Sequence, residues 1–175
     1  MAFEILADPA THPDPFVRAE LALDLARASG PNGMAGGQAM DLEAEKASFD
    51  LNTVTRLQAM KTGALIRFAC NAGAILGQAD SKARASIDRF GAIIGEAFQV
   101  ADDLLDVAGD TATLGKAAHK DEAAGKATLV TALGVAGAKK RLNELVAEAD
   151  AALAPFAAKA HTLRAAAHFI AERRN

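Results

Sequence analysis

The stretch "FGAIIGEAFQVADDLLDVAGD", residues 90–110, joins an apolar run to three aspartates, Asp102, Asp103 and Asp106. Its apolar residues recur at helical spacing and no proline interrupts them, so the stretch predicts one long helix over about residues 82–108. Two glycines in the apolar part lie one helical turn apart. They permit the backbone of a neighbouring helix to approach closely.

The three aspartates share one arc of this helix. With Asp102 at about 0° on a helical wheel, Asp106 falls at about 40° and Asp103 at about 100°. Like charges at this spacing repel, and no Lys or Arg lies between Arg89 and Lys116 to offset them. The pattern leaves two alternatives, a solvated acidic face or a site for a hard cation. Mg²⁺ suits the second, because it takes one or two carboxylates and commonly shares a phosphate ligand.

The rest of the chain reads as further helices separated by turns. No period-two alternation is long enough for a strand, and no repeat or low-complexity linker occurs. We therefore predict an all-α fold, with residues 1–175 forming a single helical domain. Loops are expected at 8–15, 30–37, 77–82 and 109–127. The other helices are expected at 2–8, 15–29, around Asp41, 50–77, 128–134, 136–153 and 156–173.

Composition excludes several classes of protein. The formal net charge of −3 gives no basic field, so a nucleic-acid partner is not expected. The lone Cys70 rules out an intrachain disulfide framework and suits a reducing compartment, where it is expected as a small core residue. No signal peptide and no membrane span are recognisable, and we predict a cytoplasmic location.

Two groups of lysines could complement the acidic helix. Lys61 stands between apolar residues of the 50–77 helix, where it has little reason to be unless it faces a polar cavity. The Gly-bearing segment 109–128 follows the acidic helix and carries Lys116, Lys120, Asp121 and Lys126, which suit the oxygens of a diphosphate. Each lysine alone is more often a surface charge. Their combination with the acidic helix is more informative.

At these residues the sequence resembles the trans-isoprenyl diphosphate synthase (polyprenyl synthetase) family, and within it the bacterial farnesyl diphosphate synthases. The matching stretches occur in order along the chain: "GMAGGQAMDL" (33–42), "MKTGALIRFA" (60–69), "GEAFQVADDLLDV" (95–107), "GDTATLGKAAHKDEAAGKAT" (109–128) and "FIAERRN" (169–175). "DDLLD" corresponds to the second aspartate-rich motif of that family. The segment 109–128 corresponds to its diphosphate loop.

The resemblance implies an isoprenoid synthase fold, in which helices surround a central cavity, and commonly a homodimer. It also implies a Mg²⁺-dependent prenyltransferase. In this family an allylic diphosphate (dimethylallyl or geranyl) ionises, isopentenyl diphosphate attacks the carbocation, and loss of a proton gives the longer product. We expect farnesyl diphosphate as the product, with geranylgeranyl diphosphate as the alternative.

The resemblance also assigns roles to residues of the acidic helix. Asp102 would be a direct Mg²⁺ ligand, while Asp103 and Asp106 would act through water or by supporting the ligands. Gln99 would lie beside the reacting carbon. Phe98 would form part of the wall of the isopentenyl site.

The remaining implied roles concern the diphosphate itself. Lys61 and Lys116 would hold the allylic diphosphate and stabilise it as a leaving group, with Thr62 beside the reacting carbon. Asp121 and Lys126 would order the loop that closes over the site. The metal and the lysines together would neutralise the charge that develops on the departing diphosphate.

Two departures from the family pattern bear on activity. His119 stands where the family usually has glycine, which we expect to be a neutral change. No second DDxxD motif occurs in residues 1–175, and "AFEILAD" (2–8) resembles the middle of a helix. We therefore expect that the chain corresponds to the C-terminal three-fifths of such an enzyme, lacks its N-terminal helices and is inactive alone.

An accessory or degenerate subunit of the same fold is the alternative. A terpene cyclase is less favoured, because its second metal motif would carry Asn, Ser or Glu.

Overall fold

The computed structural model describes residues 1–44, 46–47, 49–113 and 128–173, with the backbone alone for 109–113. Within these ranges every regular element is helical and no strand occurs, which confirms the predicted all-α fold. No helix found there has both the length and the apolar character to cross a membrane. The α-helices are α1 (Ala2–Ala7), α2 (Pro15–Ser29), α3 (Met34–Ala44), α4 (Leu51–Gln58), α5 (Ala64–Leu76), α6 (Ser81–Thr113), α7 (Leu129–Ala152) and α8 (His161–Glu172).

Helices α1, α2 and α4 begin within one residue of the predicted positions, but α3 begins at Met34, so part of the predicted 30–37 loop is helical. The Asp14 side chain caps α2 by accepting a hydrogen bond from the Phe16 amide, and Pro15 occupies the first turn. The predicted 50–77 helix, however, is divided. Between α4 and α5 the backbone takes up π-helical hydrogen bonding over Ala59–Gly63, hereafter the π turn. Such turns are rare, and they frequently occur at functional sites.

Three predictions for the C-terminal half are wrong in their boundaries. Helix α6 continues to Thr113, so part of the predicted 109–127 loop is helical. Helix α7 joins two predicted helices across a kink at Gly134, whose φ of 70° glycine adopts without strain. The predicted 156–173 helix begins instead as a 3₁₀ segment, Ala154–Ala160, because Ala157 has a φ of 48° and breaks the α-helical geometry.

The main core lies between α6, α7 and α8. Helix α6 contributes one apolar face to it, and Phe90 and Ala97 on that face are almost fully buried. Leu142 and Leu145 of α7 and Ala167 of α8 close the core from the other side. Cys70 packs against this core from a half-buried position, and burial raises the pKa of its thiol. The face of α6 that carries the aspartates therefore points away from the main core.

Glycine allows the π turn to fit between two helices. A Cβ added at Gly37 of α3 would lie 2.3 Å from the backbone nitrogen of Lys61. One added at Gly95 of α6 would lie 2.9 Å from the Cα of Gly63. Gly91, one turn earlier in α6, similarly approaches the Cα of Arg67. The close helix contact predicted from the two glycines of α6 is confirmed, and α3 adds a third glycine on the opposite side.

This packing predicts opposite effects for two glycine-to-alanine substitutions within helices. Gly37→Ala should destabilise the chain by about 1–3 kcal/mol, because the new methyl group would overlap backbone atoms of the π turn. Gly73→Ala in α5 is the matched control, since an added Cβ there meets no atom within 4 Å. It should leave stability unchanged or raise it by up to about 1 kcal/mol through helix propensity. Urea unfolding of both variants measures this, and equal losses would contradict the packing argument.

Candidate active site

The acidic residues of α6 have unequal surroundings. Asp103 is only 8% exposed and is the one buried charged residue in the described parts of the chain. Its carboxylate accepts hydrogen bonds from Gln58 Nε2 at 3.3 Å and from Gln99 Nε2 at 3.4 Å. Burial raises the pKa of this carboxyl group, the two amides oppose that shift, and the charges of Asp106 and Asp102 add to it. Asp106, by contrast, is exposed.

Lys61 lies across from this acidic face, on the π turn. Its Nζ donates to Asp41 Oδ2 of α3 at 2.7 Å, and both side chains are partly exposed. Because Gly37 lets α3 approach the π turn so closely, Asp41, one helical turn further along α3, reaches the lysine. The lysine is therefore held by α3 while remaining accessible to solvent.

One cavity of about 360 Å³ brings these side chains together. It is lined by most of the site residues predicted from the sequence and by eight others, among them Asp41 and Gln58, which hydrogen-bond to predicted site residues. The predicted residues that line it are Lys61, Thr62, Gln99, Asp102, Asp103 and Asp106. The three aspartates and the lysine thus line the same polar space although they come from different helices.

One predicted residue that the structure describes, Phe98, does not line this cavity. Phe98 is directed elsewhere: its ring packs against the guanidinium of Arg173, 4.2 Å from the ring centroid. Lys116, Asp121 and Lys126 lie outside the described residues, as does His119. Their assigned roles remain predictions.

A larger cleft of about 840 Å³ adjoins the polar cavity. Gln58 and Gln99 line both spaces and therefore stand between them. The cleft has apolar walls contributed by Met60 and Phe68, although charged residues also reach it. A polar cavity thus lies beside a roomier cleft whose lining combines apolar and charged side chains.

Arg173 is a site residue that the sequence analysis missed. Its guanidinium forms an ion pair with Asp102 and donates to the backbone carbonyl of Phe98 at 3.2 Å. Only 14% of its side chain is exposed. The one available signal was the "RR" pair in "FIAERRN", which carries no information about the residue it contacts.

The carboxylates of α6 suit an open metal site that is completed by water and ligand oxygens. In the described residues no three acidic, histidine or cysteine side chains converge to enclose an ion. Asp102 and Asp106 are nevertheless one turn apart on α6, and both line the cavity that Lys61 also lines. This donor set fits Mg²⁺ held by one or two carboxylates and completed by water and phosphate oxygens, and it does not fit a closed cage of protein ligands.

Comparison with known proteins agrees with the fold and the motifs. The chain is 41% identical to the farnesyl diphosphate synthase of Escherichia coli (strain K12) over 179 aligned residues, which cover 99% of this chain and 60% of that protein. The farnesyl diphosphate synthase of Geobacillus stearothermophilus is 40% identical over 73% of this chain and 43% of its own length. The chain thus spans about half the length of these curated relatives.

Solved structures share the arrangement of helices. The FPP/GFPP synthase of Zymomonas mobilis superposes with a TM-score of 0.86 at 45% identity, covering 97% of this chain and 56% of that one. These neighbours place the helical bundle in the isoprenoid synthase fold. Residues 20–160 match the sequence profile described as polyprenyl synthetase. This chain therefore belongs to the polyprenyl synthetase family.

Proposed function

We propose that this chain supplies the allylic diphosphate site of a Mg²⁺-dependent prenyltransferase. The reaction would join isopentenyl diphosphate to dimethylallyl or geranyl diphosphate. The observation that carries the proposal is the single cavity lined both by Lys61 and by the three aspartates of α6. Such a cavity suits a diphosphate bound to a metal ion, because the lysine would bind the diphosphate and the carboxylates would bind the metal.

The lysine and the aspartates that line the cavity would have different roles. Lys61 would bind diphosphate oxygens and stabilise the negative charge that develops on them as the carbon–oxygen bond breaks. Asp102 and Asp106 would hold Mg²⁺, and Asp103, anchored by Gln58 and Gln99, would fix the orientation of that part of α6. When bound, Mg²⁺ supplies positive charge that neutralises the leaving group. The adjoining cleft would accommodate the hydrocarbon and limit its contact with water.

Related proteins support this assignment. The geranyltransferase of Helicobacter pylori, solved with magnesium and isoprenyl diphosphate, is 29% identical to this chain with a TM-score of 0.75. The two farnesyl diphosphate synthases favour farnesyl diphosphate as the product here. Lys116, Asp121 and Lys126 remain the candidates for further diphosphate contacts and for closing the site.

We also propose that the chain forms a homodimer through α2. Phe16 and Leu23 on this helix are 82% and 50% exposed, and they lie seven residues apart on one face. Large exposed apolar side chains that share a face are typical of surfaces covered by a partner. A second copy of the chain is the partner that the family resemblance implies.

Removing the charge of Lys61 should weaken binding of geranyl diphosphate. Lys61→Met is expected to cost about ten-fold or more in affinity, since a charge-assisted hydrogen bond is worth about 1.5–3 kcal/mol. Lys82→Met, an exposed lysine at the other end of α6, is the matched control and should bind as the unmodified chain does. Calorimetric titration with and without MgCl₂ measures both. Equal affinity of the two variants would remove Lys61 from the site.

The condensation assay tests the completeness of the site in residues 1–175. With Mg²⁺, isopentenyl diphosphate and geranyl diphosphate, we expect binding without condensation, because this sequence holds only one DDxxD motif. Product formation, followed by radiolabel transfer into an organic-soluble fraction, would overturn this expectation. It would also show that one acidic cluster suffices for the reaction.

The desolvated charge of Asp103 should lower stability at neutral pH. Because its pKa is raised in the folded chain, the Asp103 carboxyl group binds a proton at a higher pH in the folded than in the unfolded state. Above the folded-state pKa its charge therefore lowers the free energy of unfolding. Below about pH 4 the group is protonated in both states, and this destabilisation is gone. Asp103→Asn should therefore raise the thermal midpoint at pH 7 and have little effect below pH 4.

Asp88→Asn is the control for this measurement. The hydrogen bond from Arg67 holds the pKa of the Asp88 carboxyl below its usual value, so this charge stabilises the fold at neutral pH. The substitution should lower the thermal midpoint at pH 7. If both variants move the midpoint in the same direction at pH 7, the contrast between the two carboxylates is wrong.

A further inference from the structure

The last described residue of the chain binds the carboxylate proposed as the direct metal ligand. Arg173 follows α8 and its guanidinium is held by an ion pair with Asp102, by the carbonyl of Phe98 and by stacking on the Phe98 ring. Its Nε is buried and has no hydrogen-bond partner in the described residues. The guanidinium is therefore fixed by its charge and its stacking, and one of its donors is left unsatisfied.

Arg173 is the cationic partner of the acidic face in the described part of the chain. Lys61 forms its ion pair with Asp41 instead, and Asp103 is bound by two neutral amides. The acidic face without its metal thus has one positive charge from a residue 71 positions away in sequence. That charge is permanent, because a guanidinium does not lose its proton in proteins.

We propose that Arg173 and a divalent cation bind Asp102 alternately, so that entry of the metal releases Arg173, the residue that follows α8. The inference rests on the Mg²⁺ site of the proposed function. A carboxylate oxygen bonded to Mg²⁺ has its electron density drawn to the metal, and a guanidinium on the same group is repelled by the ion. The body of α8 stays in place, since Leu163, Ala167 and Ile170 pack into the main core. The release therefore concerns the Arg173 side chain.

Competition of this kind lowers the apparent affinity for the metal. If Arg173 occupies Asp102 in about nine molecules of ten, the apparent Mg²⁺ affinity is reduced about ten-fold. Arg173→Met keeps the aliphatic stem and removes the competing charge, so it should bind Mg²⁺ about ten-fold more tightly. Arg84→Met is the matched control: it removes a half-buried arginine that pairs with Glu20, near the opposite end of α6, and should leave the affinity unchanged.

Calorimetric titration of the three chains with MgCl₂ alone, at constant ionic strength, distinguishes the outcomes. Tighter binding by Arg173→Met alone supports the exchange. Equal or weaker binding by Arg173→Met overturns the exchange and leaves the proposed metal site standing. An absence of Mg²⁺ binding in all three chains overturns the metal site and, with it, this inference.

A second measurement needs no variant. In ¹⁵N-labelled chain, stacking on the Phe98 ring should shift the Nε–H signal of Arg173, and this signal should move to the position of a free arginine as MgCl₂ is added. The Nε–H of Arg84, which donates to the Ala79 carbonyl at 3.0 Å, is the internal control and should not move. Sodium chloride at equal ionic strength accounts for screening of the ion pair. An Arg173 signal that stays in place at saturating Mg²⁺ contradicts the proposal.

Discussion

The contact of three backbones at the π turn is the constraint on which the site depends. Gly37 of α3 and Gly95 of α6 approach the turn so closely that a methyl group at either position would overlap backbone or adjacent atoms. With larger residues, α3 and α6 would separate from the turn. Lys61 would then lose Asp41, and the polar cavity would lose the wall that faces α6. The geometry of the site is thus set by residues that have no side chain.

The acidic face of α6 lowers the stability of the fold at neutral pH. Burial raises the pKa of the Asp103 carboxyl group and the charges of Asp106 and Asp102 add to that shift, so the ionised form opposes folding at neutral pH. Other ion pairs of α6, such as Arg67 with Asp88, are balanced across neighbouring helices. Local unfavourable charge in an otherwise balanced structure is typical of functional sites, where a ligand completes the balance. Here Asp103 is anchored by amides and Asp102 is neutralised by a residue from the end of the chain.

The sequence predicts which residues line this site better than it predicts their contacts. Helical periodicity places Asp102, Asp106 and Gln99 on one face, and six of the predicted residues line one cavity. The partners were missed because they lie far away in sequence: Lys61 and Asp41 are 20 residues apart, Gln58 and Asp103 are 45 apart. Periodicity describes one helix at a time, so it contains no information about such contacts.

Packing between distant parts of the chain also accounts for errors in the predicted helices. The π turn lies in close contact with α3 and α6, whereas the local sequence pattern predicts an uninterrupted helix there. The positive φ of Ala157 likewise has no local signal, because alanine favours the α-helix. The kink at Gly134 is different, since glycine allows it and the sequence left a boundary close to that position. Errors therefore occur where tertiary packing overrides local preference.

The central claim is that the cavity between the π turn and α6 binds a diphosphate together with a divalent metal. Crystals grown with Mn²⁺ and inorganic diphosphate test it most directly, because Mn²⁺ is located by its anomalous scattering. We predict Mn²⁺ bound to the Asp102 carboxylate inside the cavity, with diphosphate oxygens within hydrogen-bond distance of Lys61 Nζ. Anomalous density that lies away from Asp102, or diphosphate bound away from Lys61, would contradict the account.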